Sequence, residues 1–166
     1  MYARGTIFGL TRGSGRDQIV RATLESIAFQ TMDVYQAMLR DLDGAGALQI
    51  VRELRADGGA ADNAFLMQFQ ADILGIPLRV APHKETTALG AAFLAALGAG
   101  ILRDMAEIQA LVQAGAKAGE LYSPRMGETE SEGLRRQWRR AVGQAVSWAG
   151  ADPELVQKGE DSAGGV

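Results

Sequence analysis

The sequence predicts an α/β fold for its 166 residues. Helix, strand, helix and strand patterns follow one another from residue 16 to residue 80, the order of an α/β layer. At residues 54–74 a short strand runs into a glycine pair and then an amphipathic helix. The composition, 47% hydrophobic and 22% charged, is that of a globular chain. One domain is expected over residues 1–150, with 151–166 a disordered tail.

The elements can be justified in order. Thr6-Ile7-Phe8-Gly9-Leu10 reads as a strand or extended segment, and residues 11–15 as a loop rich in glycine and serine. Residues 16–40 read as a long helix. Asp17 suits its first turn, where the helix dipole favours an acid. Val20, Leu24, Ile27, Thr31, Val34 and Met38 recur at helical spacing and are expected to face a core. Glu25 follows Arg21 by one turn and is expected to pair with it. Residues 41–46 break the helix. Residues 50–56 read as a strand, β-branched at its start.

The corner comes next. Arg55 and Ala56 lead into Asp57 at a strand end. Gly58 and Gly59 have no Cβ, so the chain can turn sharply and a ligand can approach the backbone. Asp62 or Asn63 is expected to cap the following helix. Phe65, Leu66, Phe69, Ile73 and Leu74 give that helix an apolar face, and Gly75 stops it. Such a corner is where an open α/β sheet tends to bind nucleotides; it also serves as a plain turn between two core elements.

Residues 76–80 read as a short strand with Pro77 at its beginning. Thr86 or Thr87 is expected to cap a helix over 88–99. Its alanines, glycines and leucines, with Phe93, suit a tightly packed core helix, and helix starts also suit anions. Residues 104–112 read as a short amphipathic helix and 122–127 as a loop. Residues 128–148 form the last helix, with Leu134, Trp138, Val142, Ala145 and Trp148 on one side. Its stripe of Arg135, Arg136, Arg139 and Arg140 is balanced by Glu128, Glu130 and Glu132, as on a solvated face.

Bulk properties exclude several function classes. A net charge of −3 gives no general attraction for nucleic acid. The chain contains no cysteine, so disulfides and thiolate chemistry are excluded. The single histidine, His83, reads as a loop residue beside Pro82 and Lys84. No apolar run reaches membrane-spanning length. The start lacks a basic segment followed by an apolar core, so no secretory signal is expected.

Three stretches, in order, resemble one family. Asp57-Gly58-Gly59-Ala60, followed by Asn63 and by Phe65-Leu66-Met67-Gln68-Phe69-Gln70, resembles the adenosine-binding segment of glycerol kinases. These belong to the FGGY carbohydrate kinases, within the actin-like ATPase superfamily. Gly5-Thr6-Ile7-Phe8-Gly9-Leu10 and then Gln18-Ile19-Val20-Arg21-Ala22-Thr23-Leu24-Glu25 resemble the second FGGY signature. Glu85-Thr86-Thr87-Ala88-Leu89-Gly90 resembles a late helix start in the same enzymes. The resemblance weakens beyond about residue 120.

The resemblance implies a partial actin-like ATPase (ribonuclease H-like) domain, the C-terminal domain of an FGGY kinase, incomplete at its N-terminal side and ending in helices. It implies transfer of the ATP γ-phosphate to glycerol, giving glycerol 3-phosphate, with Mg2+ as cofactor and a cytoplasmic location. Gly59 and Asn63 match the family's adenine-nucleotide contacts. No catalytic or metal-binding residue carries over. The family's phosphate-binding turn, glycerol contacts and catalytic aspartate all precede the start of this sequence. Asp57, Asp62 and Asp72 lie outside the base motif. The resemblance thus implies a C-terminal fragment, inactive alone, whose partners are ATP or ADP, glycerol in the intact enzyme and the missing N-terminal domain. Apolar patches left by absent neighbours would favour a homo-oligomer. Two other readings stay open: another FGGY sugar kinase, and a stand-alone, non-catalytic nucleotide-binding or interaction module.

Overall fold

The computed structural model describes residues 5–44, 51–82, 85–115 and 119–150. The elements run α1 (Arg16–Gly44), β1 (Leu54–Ala56), a 3-10 turn (Gly59–Asp62), α2 (Ala64–Leu74), β2 (Leu78–Val80), α3 (Thr86–Gly98), α4 (Met105–Gly115), β3 (Leu121–Tyr122) and α5 (Glu128–Gly150). The expected α/β order is therefore present. His83 and the expected tail at 151–166 lie outside the described residues.

The sheet order is β1-β2-β3. β1 and β2 are parallel, with Leu54 opposite Leu78 and Ala56 opposite Val80; β3 is antiparallel to β2, with Tyr122 opposite Leu78. Parallel neighbours need a crossover connection, and α2 supplies it. The ladder reaches past the strand ends: the Leu54 N–H donates to the Pro77 carbonyl at 2.9 Å, and the Ala81 N–H to Ala56 at 2.8 Å. Pro77 precedes β2 and serves there as an acceptor, a role that needs no N–H. The strands are shorter than the expected 50–56 and 76–80; residues 51–53 are not strand, and 45–50 lie outside the described residues. β3 was not expected, and its Tyr122 falls at the start of the expected loop 122–127. Two residues are too few to display an alternating pattern.

Contacts divide the chain into two units, residues 1–23 with 127–166, and residues 24–126. In the larger unit most of α2 is buried: Leu66, Met67, Phe69, Gln70, Ala71, Ile73 and Leu74. A helix this largely apolar buries most of its surface in a core. Phe69 takes an edge-on contact from Phe29 of α1 (centroids 5.6 Å apart, planes at 85°) and stacks on Phe65 at 6.0 Å. Gly75 ends the helix in the left-handed region (φ 69°), its N–H donating to Ala71 at 2.9 Å.

Two expected faces differ. On α1 the buried residues are Ala28, Phe29 and Met32; of the expected face, Leu24 and Thr31 are half-buried, while Val20, Ile27, Val34 and Met38 are exposed. The aromatic contact of Phe29 with Phe69 decides which stripe turns inward. α3 contains no buried residue, so it is not a packed core helix in this chain. The position before it is Glu85, which makes no side-chain capping bond; Thr86 and Thr87 already lie inside the helix.

A polar clamp holds the sheet. The Arg79 guanidinium forks onto Glu53, Nε to both carboxylate oxygens at 3.0 Å and Nη2 to Oε2 at 2.8 Å, and its Nη1 donates to the Gly119 carbonyl at 3.3 Å. These bonds hold the Glu53 carboxyl below its ordinary value of 4.5. A lowered folded value means stability that is present above the unfolded value and lost as pH falls through the folded one. Glu53→Gln will therefore flatten the acid side of the stability profile, measured by urea unfolding between about pH 7 and about pH 3.

In the smaller unit, Gln18 reaches back from the first turn of α1 and accepts the Gly15 N–H at 3.0 Å, satisfying a free donor beside the helix start. On α5, Arg135 donates to Ser131 at 2.8 Å and Glu128 at 3.3 Å, and Arg139 pairs with Glu132 at 2.6 Å. Two members of the basic stripe, Arg135 and Arg139, pair with the helix's own acids; Arg135 is half-buried rather than solvated. Leu134, Trp138 and Ala145 are half-buried, but Val142 and Trp148 are exposed.

Candidate functional site

The corner stands at the carboxyl end of β1. Asp57 leaves the sheet. Gly58 adopts φ 86° and ψ 176°, a region only glycine occupies readily. The Gly58 carbonyl accepts the Ala61 N–H at 3.1 Å, and buried Ala61 pins the turn from inside. Gly59 and Ala60 are left on the outside, exposed. A Cβ built on Gly59 meets nothing within 4 Å, and the residue has no positive φ. Of the two glycines, Gly58 is therefore required by the backbone, whereas nothing among the described residues requires Gly59 to lack a side chain.

Asn63 follows the turn and opens α2. Its Oδ1 accepts the Leu66 N–H at 3.0 Å, and its carbonyl accepts the Met67 N–H at 3.0 Å. It is the expected helix cap, and Asp62 is not. Capping uses the acceptor end of the amide and orients the Nδ2 end, which can only donate. Gly59 and Asn63 thus frame one turn: an open stretch of backbone, then an oriented donor.

This geometry separates two roles of Asn63. Aspartate caps a helix about as well as asparagine, whereas alanine does not. Asn63→Ala will lower stability by about 1 kcal/mol, and Asn63→Asp will leave it near the parent; thermal unfolding of the three proteins checks both.

The acidic residues divide clearly. Asp72 Oδ1 accepts the backbone N–H groups of Arg125 at 2.6 Å and Met126 at 3.2 Å, and Gln68 Nε2 at 3.0 Å. Gln68 also donates to the Ser123 carbonyl at 2.9 Å. This pair fastens α2 to the segment after β3, a structural task. The sequence reading missed it, although the one-turn spacing of Gln68 and Asp72 was a usable signal. Asp57 and Asp62 are exposed at the corner. Among the described residues no group of three or more His, Asp or Glu side chains is placed to hold a metal ion.

A groove is lined by residues other than those of the corner. Glu85, Ala88, Leu89, Ala92 and Phe93 of the α3 region face Leu111 and Val112 of α4 around an open groove of about 550 Å³. Its walls are apolar except for Glu85, and none of its lining residues belongs to the corner. Among the described residues no helix is long and apolar enough to cross a membrane.

Comparison with known proteins places this geometry in context. Residues 2–99 match the model of the C-terminal domain of the FGGY family of carbohydrate kinases. The chain is 49% identical over 148 residues to glycerol kinase 2 of Thermotoga maritima, covering 89% of this chain and 28% of that protein. It is 50% identical over 148 residues to glycerol kinase of Alkaliphilus metalliredigens, with the same coverage. The chain thus spans little more than a quarter of the length of these relatives, in their carboxyl-terminal portion. A crystal structure of Plasmodium falciparum glycerol kinase with ADP superposes with a TM-score of 0.70 at 31% identity, over 87% of this chain and 27% of that one. A ligand-bound xylulose kinase from Lactobacillus acidophilus gives 0.68 at 24% identity, over 90% of this chain and 29% of that one.

Proposed function

This chain belongs to the FGGY family of carbohydrate kinases, and we propose that it works as the carboxyl-terminal part of a glycerol kinase, supplying adenine-nucleotide contacts. The observation that carries the choice of glycerol is the 49% identity to glycerol kinases over 148 residues. The likeness to the xylulose kinase, at 24% identity, speaks for the fold alone. In this reading residues 1–150 form one incomplete domain of the kinase.

In the intact enzyme the nucleotide lies against the corner. The exposed Gly59 lets the backbone come within van der Waals reach, and the Asn63 amide donates to an acceptor on the nucleotide. A glycerol hydroxyl loses its proton to a carboxylate, and its oxygen attacks the γ-phosphorus in line. The new O–P bond forms as the bond to the β-phosphate oxygen breaks, releasing ADP. Positioning and charge stabilisation supply most of the rate in such transfers. Mg2+ would neutralise the phosphates. The residues of the corner fit the nucleoside end of ATP and not the metal, so the base and the metal ligands come from the preceding domain. In this reading the enzyme works in the cytoplasm.

The test is ATP-dependent glycerol phosphorylation. We expect none from the folded 166-residue chain alone, and turnover when the preceding part of a glycerol kinase is supplied. Turnover by the chain alone would mean that it contains its own base and phosphate site.

A further inference from the structure

The helix that carries the corner's asparagine is held by two kinds of contact. The buried residues of α2 are mostly apolar. Apolar burial is strong but non-directional, so it fixes rotation about the helix axis only weakly. The directional contacts come from Gln68 and Asp72. Gln68 Nε2 donates to Asp72 Oδ1 at 3.0 Å and to the Ser123 carbonyl at 2.9 Å. The same Asp72 oxygen accepts the backbone N–H groups of Arg125 at 2.6 Å and Met126 at 3.2 Å.

Stability alone would not select this tie. Both partners of Gln68 Nε2 are oxygens, which fixes the amide with its nitrogen toward them. The Gln68 Oε1 atom is then buried, and among the described residues no donor reaches it. A buried acceptor without a partner is costly, and such an exception calls for a reason.

Asn63 opens the same helix, and its Oδ1 is bonded to the Leu66 N–H at 3.0 Å. Its donor end therefore moves when α2 moves. A side-chain atom on a helix surface lies about 5–6 Å from the axis, so a rotation of about 10° carries it about 1 Å. That is enough to break a hydrogen bond to a ligand. We propose that Gln68 and Asp72 are positioning residues for the nucleotide: by tying α2 to residues 123–126 they set the helix rotation, and with it the place where Asn63 offers its donor. Asp72 stands nine residues along the chain from Asn63, about 13 Å of helix, so it acts through α2 and not on the ligand. This rests on reading the corner as the nucleotide site and adds what holds that site in register.

The test is calorimetric titration of ATP into the full 166-residue chain and its variants. Far-UV circular dichroism and urea unfolding are measured on the same samples. Asp72→Ala removes the acceptor, whereas Asp72→Asn keeps an acceptor oxygen. Gln68→Met keeps the length of the side chain and removes the donor together with the orphaned oxygen. We expect Asp72→Ala and Gln68→Met to weaken ATP binding about tenfold, the worth of one lost hydrogen bond, in samples with the helix content of the parent. Asp72→Asn will stay within about twofold of the parent, because the acceptor remains. A tie that serves stability alone would lower the unfolding midpoint and leave the affinity of the folded protein unchanged. That result overturns the positioning role, and a loss of binding in Gly59→Val on the same day leaves the nucleotide site standing. Equal losses in Asp72→Asn and Asp72→Ala overturn it as well. If Asp72→Ala does not fold, Gln68→Met carries the same decision. No binding of ATP by the parent overturns both the positioning role and the reading of the corner.

Discussion

In the proposed reading, Gly59→Val will weaken ATP binding at least tenfold while leaving the helix content of the protein at the parent level. The backbone at Gly59 has no positive φ, and an added Cβ meets nothing within 4 Å. Exposed substitutions of that kind usually change stability by less than about 0.5 kcal/mol. A ligand lying against the same backbone faces the opposite situation, since the valine methyl groups occupy its space. We expect at least a tenfold loss of affinity, about 1.4 kcal/mol, by calorimetric titration of ATP. Far-UV circular dichroism on the same samples checks the fold. Unchanged affinity would remove Gly59 from the site. Gly58→Val is not an equivalent experiment, because φ 86° strains any side chain there whether or not a ligand binds.

Leu78→Ala will have the largest effect on stability, a loss of about 2–5 kcal/mol. Leu78 is wholly buried, opens the central strand and stands opposite both Leu54 and Tyr122. Truncation removes its transfer free energy and leaves a cavity flanked by both neighbouring strands. A typical domain has about 5–15 kcal/mol in total, so this one change removes a large share. Leu94→Ala removes the same atoms from an exposed site and will cost less than about 0.5 kcal/mol. Urea unfolding of the two variants gives the comparison, and equal losses would mean that the burial pattern of β2 is wrong.

Much of the candidate site is legible in the sequence. Asp57 through Gln70 carries its own punctuation: a strand end, two glycines, an asparagine cap and closely spaced apolar residues. Which glycine turns the chain is not legible, because both lack a Cβ and only the backbone distinguishes φ 86° at Gly58 from the ordinary conformation at Gly59. The face of α1 was misjudged for a related reason. Val20, Leu24, Ile27, Thr31, Val34 and Met38 define a regular stripe, of which only Leu24 and Thr31 are half-buried; spacing records only which residues share a face. Phe29 meeting Phe69 selects a different face for burial. α3 marks the same limit: small apolar residues suit close packing, and composition does not say what reaches them. The Arg79–Glu53 fork joins residues 26 positions apart, beyond any local pattern.

The sheet also sets an order of assembly. Leu54 and Leu78 pair across 24 residues of chain, whereas Leu78 and Tyr122 pair across 44. Closing the longer loop costs about 0.5 kcal/mol more, and β3 contributes only two residues in return. The β1–α2–β2 segment is thus the early-forming element, and β3 is the strand that leaves first when the native structure breathes. Hydrogen exchange should register the difference at adjacent amides. The Val80 N–H, bonded to Glu120, will exchange sooner than the Ala81 N–H, bonded to Ala56.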